Sequence, residues 1–474
     1  MNRLLYSVII LIMAVAVAMT SCIEDGFTTS PSDQPEFSVD TLDMGVVFTA
    51  QGTPTYSFTV RNRHGKMLNI SSISLRDGGK GVFRLNVDGQ SGRTFDNVEI
   101  RPNDSIYVFV EATVPEVGTP LLNEVLDCLD FTTNGVTRTV VLRAEGRDVT
   151  RLRGLVVENG EEHHLTAEYP YQIFDSIVVR PGATLVLDPG ATLHFHDKAF
   201  LRVEGRLLSE GTAGSPVNLT GDRTDNVVGS IPFDLMASQW HGVRFTDESR
   251  GSELSHTVIR NTVAGVTVDS ITEGTALKMV NCRLRNSAGY AFESRHSRVE
   301  AYGCEFADAS LGVVSLTGGE LAFNHCTFAN YYLFTALRGP AVQLWHIDGE
   351  SDDESGLPYM KADFSNCIIY GNGTDMSHGD LMGAGVFIVN TLLKSEGTDD
   401  DNFIRCIWDK DPLYYTVRED YVFDYRLRDE SPAAQAGDPS LMRPDSAVDF
   451  YGVRRDPAAP SLGAYQYVPT EQNR

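Results

Sequence analysis

Basic residues are scarce in this sequence relative to acidic ones. Its 474 residues include 39 Lys and Arg against 64 Asp and Glu, which gives a formal net charge of −25. Nucleic acids and anionic membrane surfaces bind clustered Lys and Arg, so this balance argues against both as direct partners. Solubility alone is the simpler explanation of the acidity.

Motifs of the familiar catalytic classes are also lacking. There is no HExxH, GxSxG, Walker or dinucleotide-binding pattern, and no CxxC pair. The regular coils also lack the paired-Asp motif of polygalacturonase-like hydrolases. From residue 37 onward the pattern is of short alternating strands, without helical stretches of 10–15 residues in the repeat. These features indicate an all-β chain.

The first residues carry the one long apolar run. Arg3 precedes an apolar stretch from Leu4 to Met19 that is too short to span a membrane comfortably. We therefore interpret residues 1–21 as a secretory signal peptide. Residues 22–36 are rich in Ser, Thr, Pro and acid, which is typical of a flexible tether.

The end of that run, Met19-Thr20-Ser21-Cys22, resembles a bacterial lipobox. The resemblance implies cleavage before Cys22 and acylation of its thiol, hence a membrane partner reached through lipid. The acidic residues after Cys22 resemble the surface-export signal of Bacteroides-type lipoproteins. The expected location is the outer membrane, at the cell surface. An ordinary signal peptide with a chance cysteine is the alternative.

Residues 37–148 show period-two alternation with turns every 8–12 residues, which predicts a small antiparallel β-sandwich. Landmarks along this stretch resemble Ig-like modules of the Hydin type: Phe58-x-Val60-x-Asn62, Ile100-x-Pro102, Thr133-Asn134 and Leu142-x-Ala144-x-Gly146. Such modules serve as spacers or adhesion units. No cluster of His, Cys or carboxylates indicates chemistry here.

A repeat of 22 residues runs through the centre of the chain. Cys282, Cys304 and Cys326 fall in one column, and Asn286, Asp308 and Asn330 fall in another. A period in this range is typical of solenoids, and short alternating strands separated by Gly, Asn and Ser favour a right-handed parallel β-helix over residues 149–420. The Asn and Asp column is interpreted as a ladder of turn hydrogen bonds.

Three readings of the cysteine column are open. Equivalent residues on stacked coils lie about 4.8 Å apart, which favours a ladder of small buried side chains. A disulfide needs Cβ atoms about 3.8 Å apart and is disfavoured. A metal site is disfavoured because no matched His accompanies the cysteines. His194 and His196 could chelate a metal from one strand face, but exposed strand histidines explain them as well.

Two acidic insertions lie between coils, at residues 345–358 and 394–402. Insertions in a solenoid often carry binding. Ca²⁺ is the candidate cofactor, and the carboxylates that could bind it are Asp352, Asp353, Asp399, Asp400 and Asp401. A solvated acidic loop without any ion is the alternative.

Residues 421–474 resemble the tail of many bacterial β-helix proteins. The pattern is Leu427, Ser431-Pro432, Ala436-Gly437-Asp438, Asp449, Gly452, Arg455 and Gly463-Ala464-Tyr465. The resemblance implies a structural role, and an open solenoid end needs a cap. We expect Arg455 to pair with Asp449.

Three functions remain in view. The first is a non-catalytic surface lipoprotein that binds glycans or mediates adhesion, with exposed aromatics such as Tyr331, Tyr332 and Trp345 as candidate contacts. The second is a polysaccharide lyase or glycoside hydrolase. The third is a structural protein of the envelope. Outward charges on the regular coils, among them Arg283, Arg285, Glu305 and Asp308, are the only candidates for chemistry there, and they form no recognisable catalytic set.

Overall fold

The computed structural model describes residues 26–77, 81–228, 231–271, 273–345 and 359–469. Cys22, Asp352 and Asp353 therefore lie outside the described residues. Strand accounts for 50% of the chain and helix for 3%, so the predicted all-β class is confirmed. The described residues form two compact units, divided between Asp148 and Val149. Within those ranges, no helix has the length and hydropathy needed to cross a membrane.

The first unit contains ten strands among its described residues. In chain order they are β1 (Glu36–Phe37), β2 (Thr41–Phe48), β3 (Tyr56–Arg61), β4 (Leu68–Leu75), β5 (Phe83–Val87), β6 (Gln90–Gly92), β7 (Thr94–Ile100), β8 (Ser105–Ala112), β9 (Asn123–Thr133) and β10 (Val136–Arg147). One sheet has the order β1-β3-β8-β5-β6 and the other β2-β10-β9-β4-β7. All pairings are antiparallel except that of β2 with β10.

Alternation along these strands builds the core between the two sheets. Phe58 and Val60 of β3 are buried, and they join Phe131 and Leu142 of the other sheet in one apolar cluster. Asn62 follows β3 fully buried, and its amide donates to the carbonyls of Lys66, Ile100 and Arg101 at 2.8–3.1 Å. The structure thus shows a small β-sandwich, while membership of the Hydin type stays a prediction.

The second unit is a parallel β-solenoid of about nine turns. Its strands in chain order are β11 (Thr150–Val157), β12 (Glu162–Leu165), β13 (Tyr171–Val179), β14 (Thr184–Leu187), β15 (Thr192–Phe195), β16 (Phe200–Val203), β17 (Arg206–Glu210), β18 (Val217–Gly221), β19 (Asn226–Val228), β20 (Ile231–Pro232), β21 (Gly242–Phe245), β22 (Ser252–Ser255), β23 (Thr257–Thr262), β24 (Val266–Val268), β25 (Leu277–Val280), β26 (Arg283–Ser287), β27 (Tyr290–Arg295), β28 (Arg298–Tyr302), β29 (Glu305–Ala309), β30 (Gly312–Thr317), β31 (Gly319–Asn324), β32 (Thr327–Asn330), β33 (Val342–Trp345), β34 (Met360–Ser365), β35 (Ile368–Gly371), β36 (Met376–Ser377), β37 (Gly385–Val389), β38 (Leu392–Leu393) and β39 (Phe403–Ile404). Short 3-10 helices occupy Phe233–Leu235, Arg418–Asp420, Pro439–Leu441 and Pro444–Ser446.

These strands stack into three ladders, which we name face A, face B and face C. Face A consists of β12, β14, β17, β22, β25, β28, β31, β34, β37 and β39. Face B consists of the first half of β13 with β15, β18, β23, β26, β29, β32, β35 and β38. Face C consists of the second half of β13 with β16, β21, β24, β27, β30, β33 and β36. Each coil visits A, B and C in turn.

The turn from face A to face B explains the spacing of the cysteines. Its first residue is left-handed in successive coils: Asn281 (φ 52°), Gly303 (φ 63°), His325 (φ 51°) and Asn366 (φ 53°). Asn and Gly are the residues that adopt this conformation most easily. The side chain of the next residue points into the core, where there is room only for a small group. Cys282, Cys304, Cys326 and Cys367 occupy this position.

These four cysteines are buried free thiols. The backbone N–H of Cys282 lies 3.4 Å from Sγ of Cys304, and that of Cys326 lies 3.5 Å from Sγ of Cys367. Thr257 and Thr391 occupy the same position in neighbouring coils, which shows that the site selects small side chains. Beside the column, Phe306 and Phe328 stack with ring centroids 5.2 Å apart.

The buried thiols should resist alkylation in the folded protein. Burial raises the pKa of Cys282, Cys304 and Cys326 well above the ordinary value, which suppresses the reactive thiolate. We expect maleimide to label them only after denaturation, whereas the partly exposed Cys128 serves as an internal reference. Peptide mass spectrometry measures both states. Labelling of these cysteines in the native state at the rate of Cys128 would contradict the ladder of buried thiols. So would denatured protein in which these cysteines are labelled only after a reductant is added, because that would show a disulfide.

Candidate functional site

The outward side of face B from β26 to β38 is covered by the chain's own C-terminal segment, residues 407–467. The two share an apolar cluster made of Ala307, Ala329, Ile368, Leu392, Tyr414, Tyr425, Leu427, Ala433, Phe450, Leu462, Ala464 and Tyr465. Small residues such as Ala307 and Ala329 let the segment approach closely. These contacts run along the side of the solenoid, and the role of the segment as a cap on the open end stays a prediction.

A buried arginine organises the segment. Arg455 is 1% exposed; its Nε donates to the carbonyl of Ser446 and one Nη donates to that of Ala464, both at 2.8 Å. Asp449 accepts from the backbone N–H groups of Tyr451, Val453 and Gln466 at 2.9–3.0 Å. The expected Arg455–Asp449 hydrogen bond is thus replaced by backbone partners for both side chains, although the Asp449 charge still acts on Arg455 at longer range.

Beneath the segment lies a row of charges that the sequence places outward on face B. Glu305 is fully buried and pairs with Arg285, whose Nη2 donates to Oε2 at 2.6 Å. The hydroxyl of Tyr465 accepts from Nε of Arg283 at 2.8 Å and donates to Glu305. These candidates for chemistry are consequently enclosed rather than presented to a ligand.

Asp308 lies in the same enclosed row. It has a left-handed backbone (φ 55°), and its Oδ1 accepts from the hydroxyl of Tyr425 at 2.6 Å and from the N–H of Tyr331 at 3.0 Å. Burial raises the pKa of Asp308 to about 6, although Tyr425 and Arg285 oppose the change. The carboxylate therefore fastens the C-terminal segment to the turn between faces B and C.

Asparagines at equivalent turns also hold covering segments. Asn261 and Asn286 donate from Nδ2 to the carbonyl of Asp234, in the segment that carries β19 and β20, at 2.6 and 3.1 Å. Asn330 donates to the carbonyl of Ala309 at 2.8 Å, which links two coils. The column interpreted as a ladder of turn bonds thus makes contacts that differ from coil to coil.

The candidate aromatic contacts do not share one exposed surface. Tyr332 is 6% exposed, and its hydroxyl accepts from the N–H of Ala237 at 3.3 Å. Tyr331 is half-buried, with its ring 5.9 Å from that of Tyr425. Trp345, at the end of β33 on face C, is 46% exposed. Of the three, Trp345 is the residue available to a ligand.

The described carboxylates of the acidic loop shape that loop. Asp399 accepts from the backbone of Arg405 and from Nε1 of Trp408 at 2.7 and 3.1 Å. Asp400 accepts from two backbone N–H groups at 2.8 Å, and Asp401 is exposed. Among the residues described, no group of three His, Cys, Asp or Glu is placed to hold a metal ion. A calcium site remains a prediction that involves residues outside the described ranges.

The candidate metal ligands His194 and His196, and the adjacent pair His163 and His164 on β12, contact carboxylates and backbone. Nδ1 of His196 lies 2.7 Å from Asp222, which also accepts from Gln172 at 3.0 Å. His194 contacts the carbonyl of Gly221 at 3.4 Å, and His164 lies 2.8 Å from Asp188. Each pair thus has local partners that account for its place on the strand.

An open cleft of about 580 Å³ lies on face C of the solenoid. Its outward side chains come from β16, β21, β24 and β27, and the lining residues that could contact a ligand are Lys198, Phe200, Arg202, His241, Arg244, Thr267, Asp269, Glu293 and Arg295. Space arises where Gly242 pairs with Phe200 across the ladder. A Cβ on Gly242 would lie 2.2 Å from the carbonyl oxygen of Gly265, so the backbone requires glycine there.

Ion pairs arrange the charges of the cleft. Arg244 contacts Asp269 at 2.7 Å, and Arg295 contacts Glu293 at 2.6 Å. Nε of Arg202 lies 2.9 Å from Glu204. Arg202 and Arg244 were not among the residues predicted from the sequence. The alternation of apolar and polar residues in FLRV and GVRF indicates that both arginines point outward. That the two stretches are aligned on neighbouring coils could not be predicted, because the length of the insertion between them was not known from the sequence.

Comparisons with known proteins show neither a family nor a function for this chain. No family model matches the chain, and no curated protein matches its sequence. A solved structure with local similarity is a family 123 glycoside hydrolase from Clostridium perfringens, studied for glycolipid glycan hydrolysis. The identity is 10%, the match covers 26% of each chain, and the TM-score is 0.17. The chain thus spans about a quarter of that protein's length, and the likeness carries no argument about function.

Replacing Asp308 with Asn should change how stability depends on pH. The pKa of Asp308 is raised from 3.8 to about 6, so the native state binds a proton at this carboxyl more tightly than the unfolded state does. The folded state is therefore favoured by this group at low pH, and that contribution to the free energy of unfolding is lost as pH rises from about 4 to 6. Asn keeps the acceptor for Tyr425 without a charge. We expect Asp308→Asn to exceed wild type in unfolding free energy by roughly 2–3 kcal/mol at pH 7 and to match it near pH 4.

Urea unfolding at four pH values measures this difference. Asp401→Asn, which removes an exposed carboxylate from the acidic loop, is the matched control and should show a much smaller effect. Destabilisation of Asp308→Asn at pH 7 would mean that the ionised carboxylate is needed by Arg285.

Proposed function

We propose that this protein is a lipid-anchored bacterial surface protein that binds glycans on its solenoid without transforming them. The open cleft on face C is the observation that carries the proposal. It is concave and combines the half-buried ring of Phe200 with several planar, hydrogen-bonding side chains. Small-molecule and saccharide sites are typically built from this mixture of apolar wall and convergent polar groups.

The ladder geometry suits a polymeric ligand. Arg202, Arg244, Thr267 and Glu293 follow one another in register on successive strands of face C. Neighbouring strands lie about 4.8 Å apart, so a chain laid across the coils would meet outward side chains at regular steps. That step is comparable with the length of a sugar unit, which favours a glycan over a compact metabolite.

The arrangement of carboxylates favours binding over catalysis. Hydrolysis of a glycosidic bond ordinarily needs two carboxyl groups that flank one position in an accessible site. Asp269 and Glu293 each contact an arginine in the cleft, and Glu305 and Asp308 are enclosed by the C-terminal segment. The non-catalytic role is therefore the better supported of the two, and depolymerisation by the purified protein would favour an enzyme instead.

Anchoring is supported by the sequence around Cys22. The positive Arg3, the apolar run to Met19 and the lipobox-like ending Met19-Thr20-Ser21-Cys22 together direct export and acylation. Several buried acyl chains hold a protein durably on a bilayer. The Ser, Thr and Pro-rich stretch that follows fits a tether between lipid and sandwich.

Lipid labelling in a bacterial host tests the anchor. Wild type should incorporate an alkyne fatty acid and sediment with membranes, because its cysteine thiol is acylated. Cys22→Ser should lose both properties, while Cys128→Ser should keep them. Labelled lipid on the Cys22→Ser protein would contradict the assignment of that residue.

A glycan array tests the cleft as the binding site. Thr267→Trp places a bulky side chain in the cleft and should abolish binding that the wild type shows, because Thr267 is outward in the cleft's ladder. Thr184→Trp makes the same change at a half-buried outward position on face A and should bind as wild type does. Equal loss in both variants, or binding by Thr267→Trp, would count against this site.

A further inference from the structure

The charge of the face-C cleft is opposite to that of the whole chain. Four cations line it, from Lys198, Arg202, Arg244 and Arg295, against the carboxylates of Asp269 and Glu293 in the cleft and of Glu204, which contacts Arg202. The cleft therefore carries a positive excess in a protein whose formal net charge is −25. Local fields of this kind concentrate ligands of the opposite sign and repel others.

Two of the cations stand side by side. Arg202 and Arg244 are direct partners on adjacent parallel strands, so their backbones lie about 4.8 Å apart. Like charges at such positions repel each other. The ion pairs of Arg202 with Glu204 and of Arg244 with Asp269 reduce part of that repulsion. Both arginines nevertheless stay open to solvent, because their side chains are 38% and 63% accessible. An anion between them would accept hydrogen bonds from both.

The surroundings of this arginine pair indicate what else the ligand carries. Phe200 presents an apolar face beside the gap at Gly242, and His241 and Thr267 offer hydrogen-bonding groups. A sugar ring has apolar C–H faces and many hydroxyls. Arg is also the side chain that best matches the planar geometry of a carboxylate or sulfate group.

We infer that the ligand of the face-C cleft is an acidic glycan, whose carboxylate or sulfate groups are bound by Arg202 and Arg244. This inference rests on the proposed glycan-binding function and names its ligand class. The acidic remainder of the molecule does not oppose it, because surface charges separated by more than about 8 Å are largely screened at physiological ionic strength.

Direct titration of the full chain tests the inference. The probes are an oligogalacturonate, its carboxyl-reduced form and a sulfated galactan oligosaccharide, all in EDTA so that Ca²⁺ cannot bridge to acidic loops. We expect the wild type to bind at least one acidic probe. The double variant Arg202→Gln with Arg244→Gln should bind that probe at least about tenfold more weakly, and a tenfold loss of affinity corresponds to about 1.4 kcal/mol. Arg298→Gln is the control, because Arg298 on face A has a side-chain exposure between those of Arg202 and Arg244 and pairs with Glu300.

The outcomes separate the ligand class from the proposed function. Loss in the double variant with retention in Arg298→Gln supports the inference, and the preferred probe tells carboxylate from sulfate. Equal affinity for the carboxyl-reduced probe, or equal loss in all variants, would overturn the acidic ligand while glycan binding stands. Thermal melting of each variant checks that it is folded. A chain that binds no glycan on any array would overturn both proposals.

Discussion

In-register pairing of parallel strands is the constraint on which the rest of the solenoid depends. When one coil stacks on the next, each residue lies directly over its equivalent, as Cys282, Cys304 and Cys326 do. The left-handed residue before each cysteine must recur for the same reason. Side chains on the outer surface follow the same rule, because outward residues at equivalent positions of successive strands form a row across the coils.

The three faces use that rule differently. On face B the row containing Arg283, Arg285 and Glu305 supports the protein's own C-terminal segment, through hydrogen bonds to Tyr465 and the carbonyl of Phe423. A buried ion pair of this kind is stable only when its remaining hydrogen-bonding groups are satisfied, and the segment supplies them. On face C, the row from Arg202 to Glu293 is left to solvent. The same type of strand thus supports packing on one face and leaves an open charged row on another.

The sequence allowed the solenoid to be predicted from columns of Cys and of Asn and Asp at a spacing of 22 residues, because the repeat is exact where no insertion interrupts it. Where an insertion interrupts the repeat, the sequence no longer indicates which strands lie next to each other. Arg202 and Arg244 are neighbours in space although 42 positions separate them, and the inserted segment that carries β19 and β20 hides their register. Likewise, the tail motif indicated a structural role for Arg455 but not which face it covers, because that depends on small residues such as Ala307 and Ala329.

Hydrogen exchange of the full chain tests most directly whether the C-terminal segment encloses face B. The N–H of Gly463 donates to the carbonyl of Asn366, and that of Ala464 donates to Oγ1 of Thr327, both at 2.9 Å. The account predicts protection of these amides comparable with that of β29, although they lie outside regular strands. Exchange as fast as in the exposed loop at Glu396 would contradict it and would return the charged row to solvent.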